Sequence, residues 1–265
     1  MKLNRKTNMK LTSLVFAAFV IVQGAHAQSI SQSTPIAQQQ SKSRPSGALQ
    51  QKLVPGMADY TDKVLFGEIW PGSGLSPRDR SLAVISVLIA TNKPVQLRGH
   101  LGRALNNGVT PVEASGVLTH LALYAGWPNA VSSLEVFDQV YTERKIDFTA
   151  LQVALEPLPA EVSDVARANA VTAQFGKVAP KFVELSNQLV DGDLWHRSDL
   201  SVRDRSLVTI AALTAMGEAD LLDPYFRRGV EAGLTRDQIA EALTHLAFYA
   251  GWGKATKGIM ALSRT

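Results

Sequence analysis

The sequence contains no cysteine among its 265 residues. This absence excludes a disulfide framework, a CxxC redox pair and thiolate metal ligands. The sequence also lacks a GxSxG nucleophile turn, a Walker-type phosphate loop and a glycine-rich dinucleotide fingerprint. Beyond residue 27 it has four histidines, which form no HxH or HxxxH pair. The pattern therefore favours neither a bound metal nor a cofactor.

Long apolar runs are also missing, except near the N-terminus. The basic segment "MKLNRKTNMK" precedes the apolar run "LTSLVFAAFVIVQGA", and "AHA" at 25–27 has the form of a cleavage site. This order predicts a secretory signal peptide over 1–27, cleaved after Ala27. The mature protein is then expected to be periplasmic or secreted, with no membrane attachment. The alternative is an uncleaved N-terminal anchor.

The net charge of the chain depends largely on that segment. The formal charge is +4, and residues 1–27 contain four Lys or Arg residues and no acid. Cleavage would leave a mature chain with a formal charge of zero. The composition therefore argues against a nucleic-acid partner and against an anionic membrane surface.

An internal repeat organises the rest of the chain. "LTHLALYAGW" at 118–127 recurs as "LTHLAFYAGW" at 243–252, and "LSPRDRSLAVI" at 75–85 recurs as "LSVRDRSLVTI" at 200–210. Both pairs are offset by 125 residues. We therefore predict one repeat over 51–145, a linker over 146–174 and a second repeat over 175–265. Residues 28–50, rich in Gln, Ser and Pro, are expected to form a flexible leader.

The apolar spacing within each repeat is helical, and no stretch shows sustained period-two alternation. Ser76 and Thr110 are typical N-cap residues, each followed by proline at the first helical position. Glu113 completes a capping box with Thr110, and Gln238 does so with Thr235. The fold class is therefore predicted to be all-α, with two tandem repeats forming a helical bundle.

Eight polar and aromatic side chains of the first repeat are candidates for a site. They share helix faces or lie at a helix start: Arg78, Arg80, His100, Arg103, Glu113, His120, Tyr124 and Trp127. If the faces converge, the resulting pocket suits an anionic substrate that needs a proton moved. Structural roles are open for most of them: a hydrogen-bonded core histidine, packed aromatics, a helix-end ion pair and a capping glutamate.

His100 differs from the other candidates because the second repeat has Tyr225 in its place. Arg103 keeps its counterpart, Arg228. A residue that serves only the repeated scaffold is expected in both copies. The asymmetry therefore indicates that one repeat carries the reactive site, although a solvent-facing histidine is the alternative.

The two "RDRSL" segments, "HLGRALNNGVTPVEA" and the paired "LTHLA(L/F)YAGW" together resemble the carboxymuconolactone decarboxylase family. The resemblance covers about 50–145 and 175–265. It implies an AhpD-like all-helical fold in a tandem form that assembles as rings, here a trimer. It also implies a lyase that removes CO₂ from a carboxylate-bearing lactone in aromatic catabolism, without a cofactor.

The resemblance suggests roles for the candidates. Arg80 and Arg103 would hold carboxylates, and His100 or His120 would return a proton to carbon. Tyr124 would orient the lactone oxygen and Glu113 a histidine. Arg78 and Trp127 would contribute to substrate binding.

The related peroxide-reducing branch uses a CxxCxxxH motif. Here Lys93 and Gln96 stand where its cysteines would be, which argues against that chemistry. One alternative to a lyase is a non-catalytic binding or assembly protein on the same fold. A second is a peroxide-related oxidoreductase, which the missing cysteines disfavour. Export is unusual for the namesake pathway, so another small carboxylate or lactone is a candidate substrate.

Overall fold

A computed structural model of the chain describes residues 44–152, 156–159 and 162–265. Regular structure in these residues is entirely helical, which confirms the predicted all-α class. None of the helices in this part of the chain is long and apolar enough to cross a membrane. The predicted signal peptide, 1–27, lies outside the described residues.

The first repeat folds into α-helices that alternate with short connections. They are α1 (Ala48–Leu53), α2 (Pro55–Asp59), which continues as a π-helix (Tyr60–Ile69), α3 (Pro77–Ala90), α4 (Pro94–Asn106), α5 (Pro111–Tyr124), α6 (Trp127–Val131) and α7 (Leu134–Glu143). The segment expected to be a flexible leader, 28–50, therefore ends inside a helix, because its last three residues open α1.

After a short 3₁₀-helix at Phe148–Gln152, the second repeat follows a similar order. Its helices are α8 (Val162–Phe175), α9 (Pro180–Leu185) with a π-helix (Ser186–Asp191), a 3₁₀-helix (Leu194–His196), α10 (Val202–Met216), a 3₁₀-helix (Ala219–Leu221), α11 (Asp223–Glu231), α12 (Arg236–Ala250) and α13 (Trp252–Arg264). One helix, α13, stands where the first repeat has α6 and α7. Nearly all of α8 lies in the segment expected to be a linker, 146–174, so together with the 3₁₀-helix before it more than half of that segment is helical.

Local sequence signals fix the helix starts as expected. The Ser76 side chain accepts a hydrogen bond from the Asp79 backbone N–H and caps α3. Complete capping boxes open α5 at Thr110 and α12 at Thr235. Each such cap stabilises a helix by about 1 kcal/mol because it satisfies a backbone N–H that the helix leaves unpaired.

Helices α3 and α10 form the centre of the molecule and pack extensively against each other. Both are buried along nearly their whole length, because neither has a polar face. Helix α5 of the first repeat packs on α10 of the second, and α12 of the second packs on α3 of the first. One continuous hydrophobic core therefore runs through both repeats. This crossing brings side chains of one repeat against those of the other.

Candidate functional site

A cluster of aromatic and charged side chains forms where α12 packs against the first repeat. We call it the first cluster; its members are Trp70, Arg80, His100, Arg103, Glu241, His245 and Tyr249. The Trp70 ring lies 6.2 Å from the His100 ring and 4.9 Å from the His245 ring, between ring centroids. The Trp70 indole N–H donates to the Tyr249 hydroxyl at 3.0 Å. Because its members come from both repeats, neither repeat alone forms this cluster.

Arg80 is the buried cation of the first cluster, with no solvent-exposed surface. Its Nη2 donates to Glu241 Oε1 at 2.6 Å and to the Gly72 carbonyl at 2.9 Å. Its Nε and Nη1 are buried and have no hydrogen-bond acceptor among the described residues. Buried donors without acceptors are costly, so this guanidinium is suited to bind a further acceptor group.

The two imidazoles of the first cluster also have unpaired nitrogens. His245 is fully buried, and neither of its ring nitrogens has a hydrogen-bond partner in the described part of the chain. The same holds for Nδ1 of His100. Burial and then the nearby Arg103 charge lower the pKa of His100 to about 4. Burial, then Arg80 and His100, lower the pKa of His245 to about 3. Both rings are therefore neutral near pH 7.

Arg103 connects the first cluster to solvent. Its guanidinium carbon lies 5.0 Å from the ring centroids of Phe66 and Trp70, a cation–π arrangement. The side chain is exposed and lines a polar groove of about 530 Å³ between α4 and α7. A positive charge at this place is suited to attract an anion toward the buried Arg80.

A second cluster lies at the equivalent place under the 125-residue offset. Its members are His120, Tyr124, Trp195, Asp199, Arg205, Thr209, Tyr225 and Arg228. His120 Nε2 lies 2.7 Å from Thr209 Oγ1, and the Thr209 hydroxyl donates to the Arg205 carbonyl at 2.7 Å. Nε2 must therefore carry the proton, and Nδ1 accepts a long 3.4 Å bond from Arg205 Nη1. In the first cluster Val84 replaces this threonine, so His245 lacks the partner that holds His120.

Most of the remaining polar groups of the second cluster also have hydrogen-bond partners, although Arg205 Nε is buried without one among the described residues. Arg205 pairs with Asp199, and its Nη2 donates to the Arg197 carbonyl at 2.6 Å. Tyr225, which stands where the first cluster has His100, donates to the Tyr124 hydroxyl at 3.1 Å. That hydroxyl also accepts from the Trp195 indole N–H at 2.8 Å. The imidazole of His120 and the hydroxyl groups of Thr209, Tyr124 and Tyr225 are therefore all hydrogen-bonded.

Comparison with known proteins adds to this geometry. A model of the carboxymuconolactone decarboxylase family matches the chain twice, at residues 55–139 and 180–263, which together exceed half its length. This chain belongs to the carboxymuconolactone decarboxylase family. The two matched segments lie inside the predicted repeats, 51–145 and 175–265.

Two relatives of this family member are decarboxylases. One is the 4-carboxymuconolactone decarboxylase of Acinetobacter baylyi, 34% identical over 85 residues, which are 32% of this chain and 63% of the relative. The other is the nitrosuccinic acid decarboxylase of Metarhizium robertsii, 32% identical over 71 residues, which are 27% of this chain and 50% of the relative. The matched segments thus span less than two thirds of either relative.

The structure divides the eight candidate residues of this family member among four places. His100, Arg80 and Arg103 meet in the first cluster. His120 and Tyr124, stacked with ring centroids 4.6 Å apart, belong to the second. The expected single pocket with both His100 and His120 is therefore not formed, because the face of α5 that carries His120 packs against α10 of the other repeat.

Arg78 and Glu113 lie in an ion-pair network between the starts of α3 and α10. Arg78 Nη2 lies 2.5 Å from Glu113 Oε1 and 2.8 Å from Asp204 Oδ2. Arg203 makes the reciprocal pair with Asp79 at 2.7 Å. These two candidates therefore join the two repeats, and Glu113 also completes its capping box.

Trp127 lies outside both clusters. It is 64% exposed and lines an apolar groove of about 440 Å³ beside α5, α6 and α7. This groove has few polar groups for binding a carboxylate.

Sequence reasoning missed Trp70, Glu241, His245 and Tyr249 as members of one site with His100. His245 and Tyr249 were visible as copies of His120 and Tyr124, but their partners come from the other repeat. No group of three or more His, Asp or Glu side chains suited to a metal occurs in the part of the chain that the structure describes.

The lowered histidine pKa values predict a pH-dependent stability. An unfolded histidine binds its proton near pH 6.5, whereas folded His100 and His245 bind theirs only near pH 4 and pH 3. The unfolded state then binds more protons below pH 6.5, so the free energy of unfolding should fall as pH falls from 7 to 5. Urea denaturation at pH 7 and at pH 5 measures this difference in the free energy of unfolding. His245→Gln should reduce this difference; an unchanged difference would contradict the assignment.

Proposed function

We propose that this protein is a cofactor-independent decarboxylase that acts on a small carboxylate- or lactone-type substrate at the first cluster. The observation that carries the proposal is the contrast between the clusters. Counting only partners in the described part of the chain, the first cluster has three unpaired imidazole nitrogens beside a buried guanidinium with two unpaired donor atoms. In the second cluster, His120 makes bonds through both ring nitrogens.

The charge of the first cluster supports an anionic substrate. Arg80 and Arg103 contribute two positive charges, Glu241 one negative charge, and the two histidines none at neutral pH. The resulting single positive charge suits a carboxylate, which a guanidinium binds through strong charge-assisted hydrogen bonds. Both relatives named above are called decarboxylases, and their substrates are carboxylic acids by name.

The cluster also has the groups that the chemistry requires. When the C–CO₂⁻ bond breaks, its electron pair moves onto the remaining carbon and the carbonyl conjugated with it. The unpaired N–H groups of Arg80 would stabilise the negative charge that develops there. A proton must then replace CO₂ on carbon, so that one proton is consumed in each turnover.

His100 is the proposed source of that proton. A carboxylate bound beside it favours the protonated imidazole and raises its pKa from the low value of the free protein. The ring would therefore take up a proton with the substrate and transfer it to carbon, a step worth about 10²–10⁴-fold in rate. His245 is the second imidazole in reach of the same site, since its ring shares contacts to Trp70 and Tyr249 with His100.

Export and assembly are further parts of the proposal. The basic and apolar composition of residues 1–27 supports secretion into a periplasm or the medium. A trimer of tandem chains is proposed from the family resemblance. N-terminal sequencing of the secreted protein and light scattering test the two points; an N-terminus at Gln28 and a trimer are expected.

The test of the activity is CO₂ release by the purified chain. Carboxymuconolactone and nitrosuccinate are the first substrates to assay, because the relatives are named for them, followed by other small carboxylated lactones. We expect release with at least one of them. Calorimetric binding of these compounds without release would instead favour the non-catalytic reading, and dithiol-dependent peroxide consumption would favour the oxidoreductase.

A further inference from the structure

The two clusters differ in where the carboxylate that faces the buried arginine comes from. In the first cluster it is Glu241 on α12, and in the second it is Asp199 in the segment before α10. Under the 125-residue offset, Glu241 corresponds to Gly116 and Asp199 to Gly74. Each cluster therefore has one carboxylate and one glycine, in exchanged positions.

Each glycine makes room for the carboxylate opposite. A Cβ atom added to Gly74 would lie 3.1 Å from Cγ of Glu241 and 3.2 Å from its carboxyl carbon. A Cβ atom added to Gly116 would lie 3.2 Å from Oδ1 of Asp199. Atoms this close would have to move apart. Each glycine is therefore matched to the carboxylate that lies opposite it.

The two carboxylates are held very differently. The Asp199 side chain is only 7% exposed and pairs with both Arg205 and Arg197. The Glu241 side chain is 29% exposed, and Arg80 Nη2 is its one hydrogen-bond partner among the described residues. Glutamate also has one more rotatable bond than aspartate. Glu241 can therefore rotate toward solvent, whereas the same movement of Asp199 would break its ion pairs with two arginines.

We propose that Glu241 is a displaceable carboxylate. It neutralises Arg80 in the free protein and leaves when the carboxylate of an anionic ligand takes its place on the same guanidinium. This inference rests on the proposed function in assigning the substrate carboxylate to Arg80. The exchange keeps a negative charge beside the buried cation in both states, which avoids the large cost of an unpaired buried charge. Glu241 thereby determines specificity: a neutral analogue cannot replace it.

Calorimetric titration of the intact chain with succinate, a small dicarboxylate, tests the proposal. Glu241→Gln keeps a hydrogen-bond acceptor for Arg80 but removes the competing charge. We expect it to bind succinate at least about tenfold more tightly than the wild type, the equivalent of about 1.4 kcal/mol. The matched control is Glu184→Gln, which removes a carboxylate paired with the exposed Lys181 on α9. Its succinate affinity should equal that of the wild type.

A second variant transfers the arrangement of the second cluster into the first. In Gly74→Asp/Glu241→Gly the carboxylate is carried by the segment before α3, as Asp199 is before α10. Gly74 does not lie in the left-handed backbone region, so it accepts a side chain once Glu241 is shortened. This variant should fold and bind succinate at least about tenfold more weakly than the wild type.

Kinetics separate displacement from a purely structural role. On a substrate that the wild type decarboxylates, Glu241→Gln should lower KM, whereas a purely structural defect would lower kcat and leave KM unimproved. Succinate affinity equal to or below that of the wild type in Glu241→Gln, or no binding by either protein, would overturn the proposal. Succinate binding does not require turnover. If the proposed decarboxylase function is wrong, neither protein will release CO₂, but Glu241→Gln will still bind succinate more tightly than the wild type.

Discussion

Replacing His100 with Gln should lower kcat/KM for CO₂ release by about 10²–10⁴-fold, the usual contribution of a positioned proton-transfer group. Glutamine has a similar volume but cannot carry the proton to carbon. The ring is only partly buried and its Nδ1 makes no hydrogen bond within the described residues, so the loss of stability should be small. Steady-state kinetics and thermal unfolding of the same preparation measure the two effects.

The matched control for this variant is His120→Gln in the second cluster. His120 is fully buried and bonded to Thr209 and Arg205, so its replacement should lower the stability and leave the kinetics of the remaining folded protein nearly unchanged. The opposite result, with activity lost at His120 and kept at His100, would move the reactive site to the second cluster.

Replacing Asp199 with Ala should lower the free energy of unfolding by about 3–5 kcal/mol, because it leaves a buried charge without its partner. Arg205 has no exposed surface and Asp199 is its ion-pair partner. Burial already lowers the pKa of Arg205 even with this carboxylate present. A loss of this size is a large fraction of the stability of a typical domain, so it should be evident in a urea denaturation curve.

Glu241→Gln is the corresponding control, since Glu241 faces Arg80 as Asp199 faces Arg205. Its loss should be smaller than that at Asp199, because the amide still accepts a hydrogen bond from Arg80 and the Glu241 side chain is 29% exposed, against 7% for Asp199. Equal losses at the two positions would mean that the first cluster is as rigidly closed as the second.

Much of the fold was readable from the sequence because the deciding signals are local. The caps at Ser76 and Thr110 satisfy backbone groups within three residues, and the largely apolar segment after Arg80 requires burial wherever the rest of the chain goes. The family was readable for a similar reason, since its motifs are continuous stretches that occur twice.

The composition of the site was not readable because it depends on which helices pack together. Spacing along α4 and α5 places His100 and His120 on helix faces, but it does not say that α5 turns toward α10. The two copies differ at a second informative position besides His100 and Tyr225. Val84 differs from Thr209 at the position that decides whether a buried histidine has a partner.

The crossing of α5 and α12 between the repeats has a consequence for how such a chain can evolve. Two identical chains paired about a twofold axis must build both of their clusters from one set of residues, so any change occurs in both. Joining the copies in one polypeptide removes that restriction. The second cluster can then change to stabilise the fold, while the first cluster keeps the unpaired polar groups that a reaction requires.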